Sequence, residues 1–163
     1  NGIPDECDFA DGTLTDLNDN DVADQCECPV NSYCPTSSNS VGDGVVLSAE
    51  GSACPELNNL TLVAEGGPTG QPGLLFYGGT TANQPFGMGV RCVGAPIYRL
   101  GTVFFGGAGR AVVDLDQSQG PMGSGPGEIT PGSTWHFQVW YRDPASGSWG
   151  FNLSNGLAAT FGS

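Results

Sequence analysis

The chain has 163 residues, enough for one domain of ordinary size and an appendage, with 17 acidic side chains against four arginines and no lysine. A formal net charge of −13 excludes nucleic acid and anionic membrane surfaces as partners by plain repulsion. With 27 Gly, 12 Pro and no run approaching the ~18 apolar residues of a membrane span, the composition predicts β structure and no membrane insertion.

The charge is unevenly placed. Nine of the 17 acids lie in the first 27 residues, a segment that cannot build a core of its own and whose folding would depend on bound cations and cross-links. Within it, Asp16, Asn18, Asn20 and Asp24 stand at positions 1, 3, 5 and 9 of a 12-residue loop that Glu27 closes. Alternate oxygens at that spacing, with the Val22 carbonyl at position 7, are a ligand set for Ca²⁺. Position 6, where the sharp turn favours glycine, holds Asp21. The first residues repeat the second half of the loop: Asn1, Asp5, Cys7 and Asp8 align with Asn20, Asp24, Cys26 and Glu27. This half loop is read as trimming, as natural processing, or as a site completed by oxygens from elsewhere. Residues 1–28 are thus expected to form an acidic calcium-binding stalk, and residues 29–163 a β-sandwich domain.

The six cysteines, Cys7, Cys26, Cys28, Cys34, Cys54 and Cys92, predict disulfides in an oxidising compartment. Zinc is the rival, but the spacing has no C-x₂-C pair and the one histidine is remote. Residues 29–43, rich in Pro, Ser, Asn and Gly, read as a turn-rich hinge. Beyond it, strands are expected at 45–49, 60–64, 74–77, more weakly at 90–93, then at 97–105 and 111–115. The glycine inside 97–105, Gly101, signals a bulge or a close backbone approach. Residues 134–143 carry aromatic or apolar side chains on both parities, the mark of a central strand covered on both faces. A last strand falls within 155–161. Short strands at roughly 10–15-residue spacing, without an amphipathic helix, predict an all-β antiparallel sandwich or jelly roll.

Asn1-Gly2-Ile3-Pro4-Asp5-Glu6-Cys7 resembles the D-C-N-G-N-G-I-P-D-E-C calcium repeats of secreted planctomycete-type bacterial proteins, themselves similar to thrombospondin type 3 and dockerin repeats. From Tyr33-Cys34 onward the chain resembles the β-rich domain that often ends such proteins. The most specific block is Trp135 together with Phe137-Gln138-Val139-Trp140-Tyr141-Arg142-Asp143-Pro144. The resemblance implies pairing of Cys34 with Cys92, which leaves Cys28 with Cys54. Leu17 stands where the repeat usually has a cysteine, so Cys7 is assigned to Cys26, one repeat on. The family carries no established catalytic activity.

No G-x-S-x-G, H-E-x-x-H or P-loop is present, so the chain is expected not to be an enzyme. His136 lies between Trp135 and Phe137 and is read as structural. Asp114, Asp116, Glu128 and Asp143 are the carboxylates of the β region; Asp114 and Asp116 are expected to share a strand face, and Asp143 to pair locally with Arg142. Trp135, Trp140, Trp149, Tyr77, Tyr98 and Tyr141 offer a sugar-stacking platform, with Trp149 in its polar loop as the candidate ligand-binding residue. Asn59 and Asn152 head N-x-S/T sequons for glycosylation.

These readings converge on an extracellular or cell-surface, calcium-stabilised structural protein. Its expected mode of assembly is a head-to-tail homopolymer, in which the N-terminal arm, with Phe9 and Leu14 as apolar anchors, docks on a neighbour. The alternative is a lectin-like, glycan-binding adhesion module.

Overall fold

The computed structural model describes residues 28–162. Residues 1–27, with the calcium loop, the half loop and the expected Cys7–Cys26 pair, lie outside the described residues.

Among the described residues, eleven strands follow in chain order: β1 Val30–Tyr33, β2 Val46–Glu50, β3 Thr61–Glu65, β4 Pro72–Gly78, β5 Thr81–Phe86, β6 Gly89–Val93, β7 Ile97–Phe104, β8 Arg110–Asp114, β9 Thr134–Arg142, β10 Phe151–Leu153 and β11 Gly156–Thr160. All pairings are antiparallel. A large sheet runs β1-β11-β9-β4-β7, with β10 also alongside β9; β2-β3-β8 form a smaller sheet, and β5-β6 a hairpin. This is the all-β antiparallel sandwich that the strand spacing predicts.

The alternation of side chains along a strand builds the core. Along β9, Trp135, Phe137, Val139 and Tyr141 face inward, where they meet Leu47, Leu62, Ala64 and Ala111 of the small sheet. On the opposite parity, Gln138 and Trp140 face outward. Gln138 is fully buried nevertheless, because the β5–β6 hairpin covers that face. The strand is therefore central and covered on both faces, and β4 and β11 flank it.

Gly101 marks a bulge, as expected. β4 and β7 lose register between Leu75, opposite Gly101, and Phe76, opposite Arg99, so Leu100 is the extra residue. Gly101 adopts φ +133, a conformation that L side chains rarely enter. The bulge resets the parity of β7. Val103 and Tyr98 both pack toward the core, although five residues separate them, and Arg99 and Ile97 turn to the outer face.

Two expectations are corrected. Residues 29–43 are no hinge: Val30–Tyr33 pair with β11 as the edge of the large sheet. A four-residue strand with polar Asn31 and Ser32 has too little pattern to read, and its hydrogen bonds come from a partner more than 120 residues away. Asp143 forms no ion pair with Arg142. It is fully buried and accepts hydrogen bonds from the Ser40 amide (2.9 Å) and hydroxyl, anchoring residues 39–41 to the end of β9, while Arg142 stays exposed. Among the described residues, ion pairs form only where Arg110 meets Glu50 (3.4 Å) and Glu65 (3.3 Å), on the exposed face of the small sheet.

Among the described residues, two disulfides staple the layers, Cys28–Cys54 and Cys34–Cys92, with Cα atoms 5.4 and 6.2 Å apart. They are the pairs that the resemblance implies, and they indicate an oxidising compartment. No helix among the described residues is long and apolar enough to cross a membrane.

Nothing lies within 4 Å of a Cβ added at Gly101, so Gly101→Val tests backbone strain without a steric clash. It is expected to lower stability by about 1–3 kcal/mol, read from the urea midpoint at an unchanged m-value.

A candidate binding groove on the outer face of the large sheet

The β5–β6 hairpin lies across the outer face of β9, and the residue that holds it there is Gln138. Its Oε1 accepts from the Cys92 amide (2.9 Å), and its Nε2 donates to the carbonyls of Val90 (2.8 Å) and Ser154 (2.7 Å). Two further links converge on Cys92: the disulfide to Cys34, and the Tyr33 hydroxyl, which donates to the Cys92 carbonyl (2.8 Å). Burial pushes the Tyr33 phenol up to about 12.

Between the hairpin and the sheet lies a groove of about 390 Å³. Leu74, Phe76, Trp140 and Leu153 come from the sheet, Phe86 and Arg91 from the hairpin, and Ile97 and Arg99 from β7. Registers explain the grouping: Leu74 lies opposite Trp140, and Phe76 opposite both Gln138 and Arg99. Phe151 links the aromatics, with ring centroids 5.3 Å from Phe86 and 5.6 Å from Trp140. Arg91 donates to Gln84 Oε1 (2.8 Å), while its Nε is buried without a hydrogen-bond partner.

The electrostatics of this face are one-sided. The strands of the large sheet and the hairpin contain no Asp or Glu, yet they hold Arg91, Arg99 and Arg142, three of the chain's four cations. Glu50, Glu65 and Asp114 sit on the small sheet. An apolar trough with guanidinium groups at its margin suits a ligand that couples an apolar or aromatic group to a carboxylate, since guanidinium binds carboxylate through charge-assisted hydrogen bonds.

The other candidates are dispersed. Tyr77, Tyr98, Trp135 and Tyr141 pack in the core, so only Trp140 and Trp149 of the six aromatics face outward. Trp149 is 62% exposed beyond the groove, edge-on to Phe151 at 6.2 Å. Asp114 accepts from the Thr61 hydroxyl (2.7 Å), whereas Asp116 lies past the end of β8 and accepts from Ser118 and Asn58. Those hydrogen bonds, the Ser118 hydroxyl's first, hold the Asp116 carboxyl below its ordinary value. His136 packs edge-on against Tyr33 (5.4 Å), and burial lowers its pKa. The two sequons differ. Asn59 is exposed, while Asn152 is fully buried and donates to the carbonyls of Ser37 (3.2 Å) and Ser38 (3.0 Å), leaving no room for a glycan in the folded chain. Among the described residues, no three His, Cys, Asp or Glu side chains group to hold a metal.

The groove escaped sequence reading because its members come from six strands whose neighbours only tertiary pairing selects. The usable signal was the apolar content on both parities of β4 and β9, which required a second cover. No family model, curated protein or solved structure matches the chain.

Replacing Gln138 with Leu would strand the Cys92 amide and the Val90 and Ser154 carbonyls. A loss on the order of 3–5 kcal/mol is expected in urea unfolding. A loss below about 1 kcal/mol would show that the hairpin is held by other means.

Proposed function

We propose that the chain is an extracellular structural subunit that assembles head to tail through its acidic N-terminal segment, with Ca²⁺ stabilising that segment. The supporting observation is the polarity of the large sheet. Residues 1–27 join the sandwich at β1, one edge strand, and the opposite edge is β7, eight residues long and unpaired on its outer side among the described residues. β7 carries no acid and exposes Ile97 (36%) and Phe104 (66%). An open edge of that length is a template for another chain. An arm at one edge and a receptive surface at the other make a heterologous contact, which repeats into an open filament. The disulfide-stapled sandwich suits load-bearing outside the cell, and the role calls for no catalysis. In light scattering at millimolar Ca²⁺, large particles are expected that fall to monomers on EDTA, and Asp16→Ala with Asp24→Ala should reproduce that loss. A protein that is monomeric with and without Ca²⁺ would end this reading.

A second reading is a glycan-binding adhesion module, favoured by the exposure of Trp149 beside Phe151. Under it, glycan-array binding should be present in the native chain and lost in Trp149→Ala.

A further inference from the structure

We propose that the groove between the β5–β6 hairpin and the large sheet is the docking site for residues 8–14 of a second copy, with Phe9 as the anchor and Asp11 facing Arg99. This deepens the head-to-tail reading and rests on it.

The occupant follows from charge and shape together. The groove face holds arginines and no strand carboxylate, while residues 1–27 hold nine acids and no cation. Opposite fields of that kind steer encounter and fix register. Shape then selects among acidic partners. Six of the eight lining side chains are apolar or aromatic, and the hydrogen-bond donors among them are the two guanidinium groups and the Trp140 indole N–H. A saccharide presents hydroxyls all round and would leave most of them unpaired there, at a cost for each buried one. A peptide with one aromatic side chain between carboxylates meets both features. Phe9 is the single aromatic residue of the segment, and Asp8 and Asp11 flank it. An aromatic anchor buries about 150–250 Å² and supplies most of the energy of a small contact.

The Gly101 bulge is part of the site, because it turns Arg99 and Ile97 toward the groove.

The test uses the full chain with the photo-crosslinker benzoylphenylalanine at position 9, in a mixture of isotopically light and heavy copies with Ca²⁺. Mass spectrometry is expected to find light–heavy crosslinks to Phe86, Ile97 or Trp140. Arg99→Glu should abolish them, and Asp11→Arg in the same chain should restore them. Crosslinks to the groove only within one copy, to another surface, or to nothing would overturn the proposal. So would protection of the groove by an added oligouronate without any arm crosslink, which would make it a saccharide site. Light scattering on the same sample separates the two readings. Particles without groove crosslinks sink the docking site and leave assembly standing, whereas no particles and no light–heavy crosslinks sink both.

Discussion

The outer surface of this protein depends on one buried amide. Gln138 projects from the middle of the central strand away from the core, where a polar group under a protein layer is costly unless every bond is made. Its oxygen takes the Cys92 amide, and its nitrogen takes the Val90 and Ser154 carbonyls. The same side chain thus spaces the hairpin from the sheet and seals the break between β10 and β11. Because the Cys34 disulfide and the Tyr33 hydroxyl also end on Cys92, the edge strand β1 and the hairpin are locked to one point. A groove wall held this way is pre-organised, so a ligand would not have to order it.

Other polar side chains join the layers by the same logic. Asn155 bonds the amide (2.6 Å) and carbonyl (3.1 Å) of Leu47 and the Ser32 hydroxyl (2.7 Å), extending β2's hydrogen bonding to the large sheet where the two sheets meet. Asp143 does so for residues 39–41 through Ser40. These contacts lie at the margins of the sandwich, while the space between the sheets is filled by apolar and aromatic side chains. The arrangement leaves β7 as the long open edge, next to the groove.

Charge is divided as sharply as polarity. The large sheet bears arginines alone, the small sheet bears acids that partly pair with Arg110, and the N-terminal segment bears acids alone. Exposed pairs such as those of Arg110 are worth little each. The separation of signs across the molecule matters more, since it favours contacts between unlike surfaces of different copies and disfavours contacts between like ones. Ca²⁺ on the acidic segment would moderate its self-repulsion without removing the contrast.

Short apolar runs set off by turn residues, together with both-parity apolar content, sufficed to read the all-β class, most strands, the centrality of 134–143 and the bulge at Gly101, because each is a local consequence of residue type. The disulfide pairs came through resemblance, not through spacing. β1, with Asn31 and Ser32 at its centre, had no local signal, nor did β5, whose Asn83, Gln84 and Pro85 resemble a loop. The burial of Asn152 and Asp143 and the outward placement of Arg99 were equally hidden. Each depends on which distant strand supplies the next layer: a sequon on a strand covered by residues 37–38 is closed, and an arginine one residue beyond a bulge changes face. The sequence by itself determined the apolar content of the strands and the acidity of residues 1–27. Tertiary pairing alone decided which side chains share the groove, because registers between strands far apart in the chain are set by packing and not by neighbours in sequence.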